Sequence, residues 1–117
     1  MTQSPLSEST KAFALDIVRI CGEIRRNRHD PVLTAQLLRP GTAMGANVRA
    51  ASFAKNRDEF LEMLHIALKE CAECEYWLEL LIESGYYTDP EILAKCREIK
   101  SMLLASVNTA RNNPNRK

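Results

Sequence analysis

The segment QLLRPGTAMGAN, residues 36–47, determines how closely the helices of this chain can pack. Gly41 and Gly45 lie four residues apart in it, and alanines follow, so one face of a helix here has almost no side-chain bulk. Such a face lets another helix approach closely, and the compact amide of Asn47 can satisfy backbone groups at the contact. We interpret Gly41, Gly45 and Asn47 as a helix-packing signature and not as a ligand site.

The helix that contains this segment has a clear beginning and one weak point. Asp30 supplies a side-chain oxygen for an N-cap, and Pro31 already has a helical φ angle, so we expect the helix to begin there. Its apolar stripe persists on both sides of Pro40, which loosens the hydrogen-bond ladder and predicts a kink but not an end. The stripe consists of Leu33, Leu37, Met44, Val48 and Ala51.

An amphipathic helix precedes this one, from about Ser9 to Arg28. Its apolar residues step by three and four along one face, with two more beside them: Phe13, Ile17, Ile20 and Ile24, then Val18 and Cys21. The break before Pro31 is very short, which favours antiparallel packing of the two helices.

The longest helix comes next, and it has more apolar surface than one position in a bundle needs. Asn56 and Glu59 resemble a capping box at its start, and Gly85 is expected as a left-handed C-cap after Ser84. Its main face collects Phe60, Leu64, Ala67, Cys71, Cys74, Leu78 and Ile82. At about 100° per residue, a second stripe points to nearly the opposite side: Ile66, Trp77 and Leu80. We predict that this second stripe is a subunit interface.

A fourth helix is expected after a second capping box, Thr88 with Glu91, with Pro90 in its first turn. Its inward positions are Ile92, Cys96, Ile99, Leu103 and Val107. Four helices with short links predict an all-α fold, an antiparallel up-down-up-down four-helix bundle with a kinked second helix. We assign residues 1–111 to this single domain and residues 112–117 to a disordered polar tail.

Composition agrees with one helical domain in the cytoplasm. The 117 residues can bury a single core, and only four are Gly, five Pro and 6% aromatic. The sequence has neither the pattern of a signal peptide nor eighteen consecutive apolar residues, so we expect a cytoplasmic protein with no membrane partner. The four cysteines are then expected to be reduced core residues.

Charge is unevenly distributed although the net charge is only +1. Residues 58–85 carry eight acidic side chains against Lys69, a net charge of −7, so the rest of the chain sums to +8. This asymmetry indicates that the third helix faces opposite charge, within the fold or in another subunit. The predicted nucleic-acid-binding residues gather toward one end of the bundle: Arg25, Arg26, Arg28 and Arg39. The alternative is a solvated rim or salt bridges to a neighbour's acidic helix.

Catalytic and metal-binding patterns find little support. There are two histidines, no glycine-rich phosphate loop and no recognisable nucleophile with its base, so we predict no catalytic residue and no enzyme. Glu62 and His65 have the Glu-x-x-His spacing of di-iron bundles, but the residue three before His29 is Arg26, so the second pair is missing. Cys71 and Cys74 form a C-x-x-C that could meet the other two thiols in a tetrathiolate site, but core packing is the favoured interpretation. We expect no metal and no cofactor.

The signature segment resembles bacterial four-helix-bundle proteins first noticed as reading frames within intervening sequences of large-subunit ribosomal RNA genes. Residues 76–81 (YWLELL) and 83–86 (ESGY) resemble the third helix of that family, and the resemblance covers the chain from about Phe13 to Ala110. It implies rings of five subunits. A relative of this family serves as the accessory protein of diversity-generating retroelements, where it is associated with reverse transcriptase and nucleic acid. The resemblance therefore implies similar partners for this chain. That relative is strongly basic, whereas this chain is not.

These observations together predict a non-enzymatic, homopentameric accessory or scaffold protein whose partners are copies of itself and RNA, DNA or a nucleoprotein enzyme. The alternative is a purely structural protein–protein interaction module that binds no nucleic acid.

Overall fold

A computed structural model describes residues 4–112, and all the regular structure in that range is helical. The four helices are α1 (Pro5–Arg28), α2 (Pro31–Ala51), α3 (Arg57–Glu83) and α4 (Glu91–Arg111). The predicted all-α four-helix bundle is therefore confirmed. Of the tail predicted at residues 112–117, all but Asn112 lies outside the described residues.

The helices form an elongated bundle of 51 × 22 × 22 Å in which each helix packs against two others. Within the described range α1 contacts α2 and α4, and α3 contacts α2 and α4, so α1 and α3 occupy diagonal positions. Contacts between α1 and α2 join Thr10 to Gly45 and Ile17 to Gly41, so residue numbers rise along one helix as they fall along the other. None of the described helices is long and apolar enough to cross a membrane.

Ser–Pro and Asp–Pro pairs begin the first two helices. Asp30 Oδ1 accepts hydrogen bonds from the backbone N–H groups of Val32 and Leu33, so the predicted start of α2 is correct. Ser4 caps α1 in the same way, through its hydroxyl and the N–H of Ser7, and Pro5 is the first helical residue. The sequence prediction began α1 four residues too late because it did not use this Ser–Pro signal.

Capping at the later helices is partly as predicted. Asn56 Oδ1 accepts from the N–H of Glu59 at 2.9 Å, while Glu59 Oε1 accepts from the N–H of Lys55 at 2.7 Å. Gly85 follows α3 with φ of 83°, as expected. The capping box at Thr88 is wrong. Because α4 begins at Glu91, Thr88 lies too early in the chain to be its N-cap, and Asp89 Oδ1 accepts from the Glu91 N–H instead.

Pro40 lies buried in the middle of α2, which continues uninterrupted to Ala51. Helix continuation through Pro40 was predicted, and the kink there stays a prediction. The predicted apolar stripes of α1, α2 and α4 largely form the core, but Val18 points outward. On α3 the core stripe ends at Leu81 instead of Ile82, which is half-buried, as is Phe60.

Candidate interaction surfaces

The two signature glycines lie in the contact between α1 and α2. A Cβ atom built on Gly41 would lie 2.8 Å from Cγ2 of Ile17, and one on Gly45 would lie 3.3 Å from Oγ1 of Thr10. Since real Cβ atoms do not approach a neighbour as closely as 2.8 Å, Gly41 permits a helix approach that alanine would not. These residues act inside the protomer.

Asn47, the third signature residue, faces α3 and not α1. Its Nδ2 donates a hydrogen bond to Oε1 of Glu70 at 2.8 Å. Burial raises the pKa of Glu70, and the Asn47 amide and Arg39 counteract part of that rise. The amide therefore satisfies a half-buried carboxylate between α2 and α3, whereas the sequence interpretation assigned it to backbone groups.

The predicted interface residues on α3 are only partly outward. Ile66 is 43% exposed and Leu80 37% exposed, but Trp77 is half-buried and packs against the core. Tyr76 is 55% exposed, and its ring meets the Trp77 ring edge-on at 5.0 Å between centroids. Sequence reasoning missed Tyr76, although it lies one turn before Leu80 on the same helix face. We call Ile66, Tyr76, Trp77 and Leu80 the α3 ridge.

A shallow pocket of about 340 Å³ lies where the α3 ridge meets α2. Its lining residues are Gln36, Arg39, Ala72, Glu73, Tyr76 and Trp77. Arg39 therefore lies beside the ridge and close to acidic side chains of α3. The other three predicted phosphate-binding residues do not line this pocket.

Those three residues, Arg25, Arg26 and Arg28, are exposed in the last turn of α1. Arg25 donates from Nε to the hydroxyl of Thr34, and Arg28 donates from Nη2 to the carbonyl of Gly85, each at 2.8 Å. The Arg28 guanidinium also lies 5.1 Å from the centroid of the Tyr86 ring. Two of the three cations thus tie α1 to other parts of the bundle, and Arg26 is exposed with its guanidinium over Gly22 of the same helix.

The acidic α3 finds much of its opposite charge on α4. Glu75 binds Arg97 and Lys100, each at 2.8 Å, and Glu79 binds Arg97 at 3.0 Å. Hydrogen bonds from Lys100 and then Arg97 lower the pKa of Glu75. Four exposed acidic residues of α3 form no ion pair within residues 4–112: Asp58, Glu62, Glu73 and Glu83. Ion pairs within the fold therefore neutralise only part of the negative charge of α3.

The four cysteines are free and buried in the core. The Cys71 and Cys96 sulfurs lie 3.9 Å apart across the contact between α3 and α4, and burial raises the pKa of Cys21 to about 11. Over residues 4–112 no three His, Cys, Asp or Glu side chains are grouped so that they could hold a metal ion. Glu62 and His65 are both exposed, and His65 Nε2 lies 3.3 Å from Nη2 of Arg111.

Four amphipathic helices around one apolar core, with an apolar ridge left on the outside, define a four-helix-bundle protein. The chain belongs to the 23S rRNA-intervening sequence protein family, whose model matches residues 5–105. A solved structure of a protein of unknown function from the S23 ribosomal protein family of Bacteroides thetaiotaomicron is 37% identical, with a TM-score of 0.85. The similarity covers 87% of this chain and 97% of that one. A comparison with curated proteins finds no match.

Proposed function

We propose that this protein is a non-enzymatic cytoplasmic scaffold that assembles with copies of itself through the α3 ridge. The observation that carries the proposal is the exposure of Ile66, Tyr76 and Leu80 on one side of a helix whose other side is already in the core. Burying such a patch against a second copy removes apolar surface from water. Five is the subunit number that the family resemblance implies.

Mass measurement tests the assembly with matched leucines. Leu80 and Leu104 are both partly exposed, but Leu104 lies on α4, away from the ridge. We expect the wild-type protein to sediment as an oligomer, Leu80→Ser to shift it toward the monomer, and Leu104→Ser to leave its mass unchanged. A wild-type monomer at tens of micromolar, or equal masses for all three proteins, would overturn the proposal.

Trp77 is a poorer probe of assembly than Leu80. Its ring is half-buried in the protomer, so Trp77→Ala removes packing within the bundle as well as any contact with a partner. We expect this variant to weaken assembly, and a thermal melt on the same sample separates loss of the oligomer from loss of the fold.

We also propose that nucleic acid, or a nucleoprotein enzyme, is a partner of the assembled scaffold. The exposed cluster of Arg25, Arg26 and Arg28 supports this, because an oligomer repeats the cluster once per subunit. Arg39 is the weakest member of the predicted set, since it lies beside Glu73 in the pocket between α2 and α3.

A salt series separates this proposal from its alternative, a purely structural protein–protein module. If phosphates are bound, affinity for a generic single-stranded RNA or duplex DNA falls steeply with salt, and Arg28→Ala weakens binding and flattens the slope. Arg49→Ala, an exposed arginine on α2, is the control. Absence of binding at low salt would remove nucleic acid from the proposal and favour the alternative.

A further inference from the structure

A second outward stripe on α1 complements the α3 ridge. Leu15 is 64% exposed and Val18 is 52% exposed, and both lie on the side of α1 that faces away from the core. The stripe continues in steps of three and four residues through Lys11, Leu15, Val18, Gly22 and Arg26. We call these five residues the α1 outer face.

The outward stripe that contains Ile66, Tyr76 and Leu80 of the α3 ridge has the same spacing. It steps by three and four residues through Glu62, Ile66, Lys69, Glu73, Tyr76, Leu80 and Glu83. This repeat of about 3.5 residues is the spacing with which two helices pack side by side at a small crossing angle. Each of the two helices therefore presents a seam of the kind that binds another helix.

The two faces carry opposite charge around their apolar centres. Lys11 and Arg26 flank Leu15 and Val18, and neither cation forms an ion pair within the described part of the chain. Charges of the other sign are present too: Glu8 lies one turn before Lys11 on α1, and Lys69 lies within the stripe of α3. On α3 the acidic residues Glu62, Glu73 and Glu83 outnumber Lys69, so like faces repel and unlike faces attract.

The two faces are also at the same height in the bundle. Thr10 contacts Gly45 and Ile17 contacts Gly41, while Asn47 binds Glu70. Since α2 and α3 are antiparallel, the contact of Asn47 with Glu70 puts Gly45 at the height of position 72 of α3 and Gly41 at the height of position 76. Thr10, which contacts Gly45, is therefore at the height of position 72, and Ile17, which contacts Gly41, is at the height of position 76. The helices α1 and α3 thus run in the same direction with an offset of about 60 residue numbers, which sets Leu15 and Val18 level with residues 75–78 of α3, the stretch that contains Tyr76.

We propose that the α1 outer face of one copy receives the α3 ridge of the next copy. The inference rests on the self-assembly proposed above and names its partner surface. Because α1 and α3 are diagonal in the bundle, their outer faces point to different sides, so pairing one with the other joins copies head to tail, and such a contact forms a ring when the rotation between copies closes. If the symmetry axis of the ring is parallel to the long axis of the bundle, all copies lie at the same height along that axis. The apolar residues of the α1 outer face then meet those of the α3 ridge, because the two sets lie at the same height in each copy. A symmetric pairing of α3 with α3 would set acid against acid.

Charge reversal tests this pairing. The α1 variant carries Lys11→Glu and Arg26→Glu, the α3 variant carries Glu73→Lys and Glu83→Lys, and a third chain combines all four changes. We expect each pair of changes alone to raise the dissociation concentration of the oligomer at least about tenfold at low salt, and the combined chain to recover assembly. Arg49→Glu on α2 and Glu98→Lys on α4, both at exposed positions, are controls expected to have no effect.

Apolar contacts provide a second test with matched valines. Val18→Ser is expected to weaken assembly, whereas Val32→Ser, at an exposed valine on α2, is not. If the wild-type protein assembles and Leu80→Ser disrupts it while every α1 variant assembles normally, the pairing is wrong and the ridge binds elsewhere. If the wild-type protein is a monomer, the proposed function itself fails. Loss of assembly in the combined chain, when it is folded, would also contradict the pairing.

Discussion

The contacts that α2 makes on its two sides are built on different principles. Toward α1 it presents Gly41 and Gly45, and the approach is so close that a methyl group on Gly41 would overlap Ile17. Toward α3 it presents Asn47, which reaches a half-buried carboxylate, and a shallow pocket remains beside Trp77. The first contact is fixed by steric fit, and the second is a polar link with open space next to it. The open side is where the proposed assembly surface lies.

The largest effect on stability is expected from adding a side chain on the side of α2 that packs closely against α1. Gly41→Ala improves helix propensity by about 1 kcal/mol but forces a methyl group against the stiff, β-branched Ile17, and overpacking of this kind costs about 1–3 kcal/mol. We expect a net loss of free energy of unfolding, measured by urea denaturation. In an Ile17→Ala background the same change should be neutral or stabilising, because the two closest obstructing atoms, Cγ2 and Cγ1 of Ile17, are gone. An equal loss in both backgrounds would show that the contact is not sterically limited.

A smaller effect is expected from cutting the polar link. Asn47→Ala removes the hydrogen bond to Glu70 and costs about 1 kcal/mol at neutral pH. The loss should shrink at acidic pH, since a protonated Glu70 no longer needs the amide as strongly. Thr42→Ala, which alters an exposed position on the same helix, is the control. A loss independent of pH would mean that Asn47 acts through packing and not through the carboxylate.

The half-buried carboxylate also has its own pH dependence. The pKa of Glu70 is raised in the folded state, so the folded protein holds this proton more tightly than the unfolded chain does. Glu70 therefore destabilises the fold above its folded pKa, and this cost disappears as the pH falls through that pKa toward the unfolded value. We expect Glu70→Gln to raise the melting temperature at pH 7 and to have little effect below the unfolded pKa, and Glu62→Gln, at an exposed position, to be neutral.

The smallest change is a gain at the turn that joins α1 to α2. His29 ends α1 with φ of 55°, a left-handed conformation that favours glycine, and its N–H donates to the Arg25 carbonyl. His29→Gly is expected to stabilise the protein by about 0.5–1 kcal/mol, since it relieves the Cβ strain at some cost in chain entropy. A decrease in the melting temperature would show that the imidazole makes a contact worth more than this strain.

Much of the fold could be read from local chemistry. The N-cap at Asp30, the cap at Asn56 and the left-handed glycine at Gly85 involve atoms within a few residues of one another, so a sequence pattern is sufficient. Thr88 failed as a cap because a capping oxygen is useful only if the helix begins beside it, and α4 begins at Glu91.

The interaction surfaces were harder to read because they depend on how each helix is rotated in the bundle. A helical wheel separates two sides of α3, but only the packing of the helices makes Trp77 half-buried while Tyr76, at the preceding position, is exposed. The same holds for Arg25 and Arg28, which look alike in the sequence as phosphate ligands. In the fold both hydrogen-bond across to other elements.

The sequence by itself determined four amphipathic helices, their approximate ends and a bundle as the way to bury their stripes, because periodicity and capping act within single turns of helix. The tertiary structure alone decided which neighbouring helix packs against the glycines of α2, which acidic residues of α3 form ion pairs with α4, and which apolar residues stay exposed. Those outcomes depend on distances between residues far apart in the chain, and such distances exist only after the helices have packed.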